Sequence, residues 1–130
     1  MRTLIIVKPD WAKNDDLISE LFCLIKWHGL VVLFSKGAIL ERTFWSEFYA
    51  DHVRTSYFEE MVQWMSSSSS LFVVVEGERA VGLVRWKIVG RNGSGLRAKY
   101  QVSELKNVAH ASDSESSAIR EIELVYRSLK

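Results

Sequence analysis

Hydrophobic and polar positions along the chain follow two kinds of pattern, found in different segments. The first kind is typical of β-strands. Apolar runs rich in valine, leucine and isoleucine occur at Leu4–Val7, Leu30–Leu40 and Leu71–Glu76, and each predicts a strand. The first run is apolar at every position and ends at Pro9, which predicts a central strand buried on both faces. A shorter apolar stretch that stops just before His110 predicts the end of a fourth strand.

The second pattern is helical, with apolar residues recurring every three or four positions. It predicts a helix over Asn14–Trp27, a pair of helices of which the first is capped by Thr43 or Ser46, a helix over Gly77–Val89, and a closing helix over Glu115–Tyr126. The positions predicted to be buried are Leu17, Ile18, Leu21, Phe22, Leu24 and Ile25 on the first helix; Phe44, Trp45, Phe48, Tyr49, Phe58, Met61, Val62 and Met65 on the pair; Ala80, Val81, Val84 and Ile88 on the next; and Ala118, Ile119, Ile122, Val125 and Tyr126 on the last.

The order of these elements is strand, helix, strand, helical pair, strand, helix, loop, strand, helix. This order predicts an α+β fold of the ferredoxin-like type, in which a four-stranded antiparallel sheet is covered by helices. The serine run Ser66–Ser70 is predicted to be a loop between a helix and a strand, because too little chain lies on either side to separate domains. Residues 1–130 are therefore expected to form a single domain.

Composition limits the partners that the chain can have. The net charge is +1, so bulk electrostatics gives no reason to expect binding to nucleic acid or membranes. The single Cys23 excludes an intrachain disulfide. The apolar runs are too short to span a bilayer. These features predict a soluble cytoplasmic protein in which any anion site is local.

The segment around His110 carries the candidate chemistry. Ser112 followed by Glu115 matches the capping-box pattern and predicts that a helix begins there. A helix start offers unpaired N–H groups that favour phosphate, and an imidazole beside it is able to attack a phosphoryl group. From these residues alone, a structural histidine next to a polar cap is the favoured interpretation, and the nucleophile is the alternative.

Two segments at opposite ends of the chain resemble the hallmarks of one family. Asn107-Val-Ala-His110-Ala-Ser112-Asp113-Ser114 is similar to the active-site signature of the nucleoside diphosphate kinases. The N-terminal Arg2-Thr-Leu-Ile-Ile-Val-Lys8-Pro9-Asp10 resembles the other hallmark of that family. The segments between them also align, so the resemblance covers nearly the whole chain and implies the ferredoxin-like fold directly.

The resemblance implies a role for each matched residue. His110 would take the γ-phosphate of ATP or another nucleoside triphosphate as phosphohistidine and pass it to a nucleoside diphosphate. Tyr57 stands where the family has the phenylalanine on which the base stacks, and Asn92 stands where it has a phosphate-binding threonine. The implied catalytic residues are His110, Lys8, Tyr49, Ser112 and Glu121, and the implied nucleotide-binding residues are Lys8, Tyr57, Arg85, Asn92, Arg97 and Asn107.

The chain departs from the family pattern in several places, and Arg85 lies one residue further from Gly90 than is usual. The segment Gly90–Arg97 is shorter than the corresponding loop, the usual Ser-Gly-Pro turn is absent, and Ala98-Lys99 after Arg97 replaces a common Gly-Asp. These last three departures keep open a second interpretation, in which a catalytically impaired member acts as a nucleotide sensor or protein-interaction module. An RNA-binding module is disfavoured, because the aromatic pattern expected on its central strands is missing.

The resemblance also implies a cofactor and an assembly. Because the sequence offers no acidic cluster suited to an all-protein cage, Mg²⁺ is expected to be carried by the nucleotide phosphates, with no ligand from the protein. The expected partners are nucleoside di- and triphosphates, and neither nucleic acid nor membrane is expected. Relatives of this kind form homo-oligomers, so a hexamer or a tetramer is expected.

Overall fold

A computed structural model describes residues 1–91, 93–100 and 106–130 of the chain. The elements in these ranges are strands β1 (Arg2–Val7), β2 (Val31–Ala38), β3 (Ser70–Glu76) and β4 (Ala109–Ala111), helices α1 (Asp15–Trp27), α2 (Arg42–Phe48), α3 (Phe58–Ser67), α4 (Ala80–Leu83), α5 (Gly95–Tyr100) and α6 (Glu115–Leu129), a π-helical turn (Val84–Ile88), and two 3₁₀ turns (Pro9–Trp11 and Ala50–His52).

The strands form one antiparallel sheet in the order β2-β3-β1-β4. β1 lies between β3 and β4, which explains why its sequence is apolar throughout. Helices cover both faces, so the predicted ferredoxin-like α+β fold is confirmed. None of the helices in the described ranges is long and apolar enough to cross a membrane.

Side chains of β1 alternate between two cores. Leu4 and Ile6 pack with the aromatic residues of α2 and α3 and with α6. Ile5 and Val7 pack on the opposite face with α1, α4 and the π-helical turn. His110 is the cross-strand partner of Ile6, so the imidazole lies on the face covered by α2, α3 and α6.

The aromatic stripes of α2 and α3 are buried as predicted, but several helix boundaries differ. α2 begins at Arg42 with Glu41 as its N-cap residue, and neither Thr43 nor Ser46 caps it. The extended backbone of Glu41 lets its carbonyl accept the first helical N–H groups, which places both predicted caps inside the helix.

The serine run Ser66–Ser70 is not a loop throughout. α3 continues to Ser67 and β3 begins at Ser70. The Ser66 hydroxyl donates to the Val62 carbonyl at 2.8 Å, a bond that lets serine remain in a last helical turn. The connection therefore consists of two residues.

The buried face of α6 is turned from the predicted one. Ile119 was predicted to be buried but is 62% exposed, whereas Leu124 and Glu121 are buried. At 100° per residue the buried stripe is centred on Val125 and extends toward Glu121. This rotation brings a carboxylate under the sheet edge that carries His110.

The region after β3 departs furthest from the predicted continuous helix and loop. The helix predicted over Gly77–Val89 starts only after Arg79, whose backbone is left-handed, and it changes to the π-helical turn at Val84. The predicted loop Gly90–Arg97 becomes helical from Gly95, so its last three residues belong to α5.

Candidate active site

His110 lies in the middle of β4, not between the end of a strand and a helix as predicted. Its Nε2 atom is 2.8 Å from Oε1 of Glu121, and the two side chains are only 18% and 8% exposed. A carboxylate held this close fixes both the tautomer and the orientation of an imidazole. The ring edge carrying Nδ1 is left for other chemistry.

Ser112 is part of the same network and does not cap α6. Its hydroxyl donates to Glu121 Oε1 at 2.7 Å, and its oxygen lies 3.4 Å from the Leu4 backbone N–H. The N-cap of α6 is Ser114, which accepts from the Ser117 N–H at 3.1 Å. The predicted helix start at Glu115 is confirmed, but Ser112 is not its cap, because Ser112 is fully buried and its hydroxyl is directed toward Glu121.

Aromatic rings from α2 form a wall against the imidazole. The ring centroids of Phe48 and Tyr49 lie 5.1 Å and 6.5 Å from that of His110. Burial, together with the charge of Glu121, raises the pKa of Tyr49, so its phenol stays protonated. Within the described ranges, the buried Tyr49 hydroxyl has no hydrogen-bond partner, which makes it a donor available to a bound group.

Arg120 fixes this wall to α6, a contact that sequence reasoning missed. Its guanidinium donates to the Phe48 carbonyl at 3.0 Å and to the Glu47 carbonyl at 3.4 Å. These are carbonyls in the last turn of α2, which basic side chains commonly satisfy. Nothing in the sequence indicates that an arginine on the polar face of α6 donates to a backbone carbonyl 72 residues earlier in the chain.

Two predicted cations approach the same edge of the sheet. Lys8 is only 5% exposed, and burial together with the charge of Arg97 lowers its pKa to about 7. Its ammonium lies 5.9 Å from the centre of the Trp64 ring. Arg97 donates from Nε and Nη2 to the carbonyl of Ala109, at 3.1 Å and 2.9 Å. That carbonyl belongs to the residue before His110.

The π-helical turn accounts for the position of Arg85. The N–H of Val89 bonds to the carbonyl of Val84, five residues back, at 2.8 Å. Such a turn accommodates one extra residue in a helix, which is the excess in spacing between Arg85 and Gly90. Burial and the charge of Arg91 lower the pKa of Arg85, while Asp113 opposes the shift.

Arg91 joins this group, although no sequence argument singled it out. Burial and the charges of Arg91 and Arg85 lower the pKa of Arg97 to about 10. The charges of the three arginines therefore act on one another, and the guanidinium of Arg97 is the one held by the Ala109 carbonyl. Mutual repulsion of this kind is typical of a pocket that receives an anion.

Tyr57 lies at the far end of the aromatic wall. Its hydroxyl is 3.0 Å from Nδ1 of His52, and the His52 ring lies 6.1 Å from that of Tyr49. The contact between His52 and Tyr57 was also not predicted from the sequence, because the two side chains meet only once the 3₁₀ turn has formed. Tyr57 is partly exposed, so its ring face is accessible to a flat ligand.

The remaining predicted residues complete the site. Asn107 is buried two residues before the start of β4. Asn92 lies outside the described residues. In the described part of the chain, no group of three histidine, cysteine, aspartate or glutamate side chains could hold a metal ion. The nearby Asp113 is engaged by Ser117, whose hydrogen bond lowers the pKa of the carboxyl.

An imidazole held by a carboxylate, an aromatic wall and a group of arginines lie together on a ferredoxin-like sheet, and they define a class of α+β protein with a histidine and clustered cations at one site. The family model for nucleoside diphosphate kinase matches residues 1–130. The chain belongs to the nucleoside diphosphate kinase family, as its resemblance predicted.

Individual relatives agree with this assignment. Nucleoside diphosphate kinases from Sulfurisphaera tokodaii and Staphylothermus marinus are 32% and 33% identical over 132 and 131 residues, with 97% of this chain and 88% and 92% of theirs covered. The crystal structure of the Aquifex aeolicus nucleoside diphosphate kinase is 34% identical, with a TM-score of 0.86 over 95% of this chain and 93% of that chain. The enzyme from Encephalitozoon cuniculi gives 34% identity and a TM-score of 0.87 over 95% and 86%.

Proposed function

We propose that the protein is a nucleoside diphosphate kinase that transfers a phosphoryl group through His110. The observation that carries this proposal is the 2.8 Å contact between His110 Nε2 and Glu121, made beside the arginine cluster. Because Nε2 is committed to the carboxylate, Nδ1 is the nucleophile.

The reaction has two symmetrical steps. Nδ1 of His110 attacks the γ-phosphorus of a nucleoside triphosphate, a P–N bond forms, and the bond to the bridging oxygen breaks to release the diphosphate. A terminal oxygen of a second nucleoside diphosphate then attacks the phosphohistidine, and the P–N bond breaks. Each step returns the electron pair of the broken bond to the group that leaves.

The surrounding cations stabilise charge during both steps. Lys8, Arg85 and Arg97 neutralise the phosphate oxygens, since phosphoryl transfer depends mainly on positioning and electrostatics. Arg97 also holds the Ala109 carbonyl, so its charge is fixed relative to His110. An incoming phosphate stabilises the protonated form of Lys8, which burial alone disfavours.

The neutral groups orient the substrate. Tyr49 donates its buried hydroxyl toward the reacting phosphate, and Asn107 donates to the sugar or phosphate. Tyr57 offers its ring to the base, a contact that any base is able to make. Ser112 and Glu121 keep the imidazole in one orientation through both steps. Asn92 is proposed as a phosphate contact from the family resemblance alone.

The proposal also includes a metal ion and a homo-oligomeric assembly. Mg²⁺ would be carried by the nucleotide phosphates, where it would keep several waters and help to neutralise the phosphate charge. The protein acts in the cytoplasm as a homo-oligomer, a hexamer or a tetramer. The exposed apolar residues of the edge strand β2, which include Val31 and Leu33, support self-association.

Transfer of label from γ-labelled ATP tests the proposal. Wild-type protein with Mg²⁺ is expected to acquire acid-labile label and to lose it when a nucleoside diphosphate is added. The variant H110Q is expected to remain unlabelled, whereas H28Q, the same change at the end of α1, is expected to behave like wild type. Nucleotide binding without labelling of the wild type would contradict the proposal and favour a nucleotide sensor.

A further inference from the structure

The turn after the π-helical segment holds an arginine that the proposed chemistry does not yet use. We propose that Arg91 is an additional phosphate-binding residue, which contacts the nucleotide phosphates together with Arg85 and Arg97. This inference rests on the proposed function and extends it, because it assigns a further cation to the substrate phosphates.

The backbone of Arg91 is held in a compact turn. Its N–H donates to the Ser94 hydroxyl oxygen at 3.2 Å, and that hydroxyl lies 2.8 Å from the Arg91 carbonyl and 3.1 Å from the Trp86 carbonyl. The Ser94 N–H also donates to the Arg91 carbonyl at 3.2 Å. A single serine thus fixes the turn to the π-helical segment that carries Arg85.

The other side of the turn is fixed to the strand of the nucleophile. The Arg97 N–H donates to the Val89 carbonyl at 2.8 Å, while the Arg97 side chain holds the Ala109 carbonyl. Arg91 lies between Val89 and Arg97 in the sequence, so the hydrogen bond between these two residues closes the segment that contains it. Its side chain is only partly exposed, so it is not simply a solvated surface group.

Electrostatics agrees with this placement. The charge of Arg91 is among the causes that lower the pKa values of both Arg85 and Arg97. Bringing like charges together in a partly buried pocket costs free energy that a bound polyphosphate recovers. The carboxylate that acts on Arg85 belongs to Asp113, which Ser117 already engages. A nucleotide carrying several negative charges is the ligand that such a cluster fits.

The proposal makes a distinctive prediction about Mg²⁺. Arg91 and the metal would neutralise the same phosphate oxygens, so each matters more when the other is missing. Loss of Arg91 should therefore weaken binding more strongly without Mg²⁺ than with it. A residue that only supported the fold would weaken binding by the same factor under both conditions.

Calorimetric titration with ADP tests this on wild type, R91Q and R91K, each in excess Mg²⁺ and in EDTA. We expect R91Q to weaken ADP binding about ten-fold with Mg²⁺, as for one charge-assisted contact, and by a larger factor in EDTA. R91K should recover part of the loss, because it keeps the charge but not the planar guanidinium. R79Q, which changes an exposed arginine before α4, should match the wild type.

The outcomes separate the two proposals. If the wild type binds ADP and is phosphorylated on His110 but R91Q binds equally well, the role of Arg91 is overturned and the proposed function stands. An equal loss in Mg²⁺ and EDTA, without recovery in R91K, would assign Arg91 a structural role and overturn the inference. If the wild type neither binds ADP nor accepts label, both proposals fail.

Discussion

At the scale of single residues, the site depends on one carboxylate oxygen that serves two donors. Glu121 Oε1 lies 2.8 Å from His110 Nε2 and 2.7 Å from the Ser112 hydroxyl. The family resemblance implied that Ser112 and Glu121 together hold the imidazole, whereas the capping-box pattern assigned Ser112 to the helix cap as well. A serine at a helix start has two possible partners, and only the folded position of Glu121 decides between them.

Removing that carboxylate should slow chemistry more than binding. We expect E121A to lower the rate of phosphohistidine formation about 100-fold, because the imidazole loses its fixed tautomer and orientation. The nucleotide should still bind, since the arginines are unchanged. Rapid-quench labelling measures the rate, and E123A on the exposed face of α6 is the matched control. A rate for E121A equal to that of E123A would contradict the assigned role.

The buried Lys8 predicts a pH-dependent stability. Its pKa is about 7 in the folded protein and ~10.4 in an unfolded chain. Between these values the unfolded state binds more protons, so the free energy of unfolding should rise with pH, by up to about 1.4 kcal/mol per pH unit. Below about pH 7 both states are protonated and the penalty of the buried ammonium is complete.

Denaturant unfolding of wild type and K8M between pH 7 and 10 measures this contribution. The difference in unfolding free energy between the two proteins should change in favour of the wild type as the pH rises, because K8M lacks the titrating group. Other groups titrate equally in both proteins and cancel. A difference that stays constant over this range would show that Lys8 is not the source.

At the scale of elements, helices and strands were best predicted where the hydrophobic pattern within the segment itself was clear. β1 and α1 follow directly from an unbroken apolar run and a helical stripe, with Asn14 capping α1 through the Leu17 N–H. The π-helical turn could not be predicted, because a bond over five residues leaves no periodic signature of its own. The helical start at Gly95 was missed because three glycines between Gly90 and Gly95 favour a loop in any sequence argument.

The turn between the π-helical segment and α5 requires glycine at Gly90 and at Gly95, because a Cβ on either would clash with neighbouring backbone atoms. A Cβ on Gly90 would lie 1.9 Å from the Ser94 carbonyl oxygen, whereas a Cβ on Gly93 would meet nothing within 4 Å. Both glycines have a positive φ, +84° and +88°, so alanine strains the backbone equally at each.

The pair G90A and G93A therefore isolates the effect of the turn on the site. We expect G93A to lose about 1 kcal/mol of stability and to bind nucleotide normally. G90A should lose more and should bind ADP several-fold more weakly, because the turn that carries the arginines must open. Thermal unfolding and ADP titration measure both effects. Equal behaviour of the two variants would contradict this account of the turn.

At the scale of the whole molecule, the sheet separates a face that only packs against helices from a face that also carries the candidate site. One face packs α1, α4 and the π-helical turn, and the other carries the aromatic wall and His110. The order of strands and helices along the chain predicted this architecture, because the rules for connecting successive elements allow few sheet topologies. The rotation of α6 toward Glu121 could not be predicted from the hydrophobic periodicity, which places a glutamate at the rim of the buried face; only the family resemblance pointed to Glu121.

The edge strand β2 predicts how copies associate. Val31 on this strand is 61% exposed, and an open apolar edge favours pairing with another chain. We expect V31K to shift the assembly toward smaller species in sedimentation velocity. I119K, at a residue of α6 that is 62% exposed, should sediment like the wild type. Unchanged assembly in V31K would exclude this edge as an interface.

The central claim is that His110 carries the transferred phosphoryl group on Nδ1. Mass spectrometry of protein treated with ATP and Mg²⁺ and digested under alkaline conditions tests it, with phosphorus NMR of the intact phosphoenzyme to distinguish the ring nitrogens. Phosphate is expected on the His110 peptide, bound to Nδ1 and lost on addition of a nucleoside diphosphate. Phosphate confined to Ser112 or Ser114, or bound to Nε2, would contradict it.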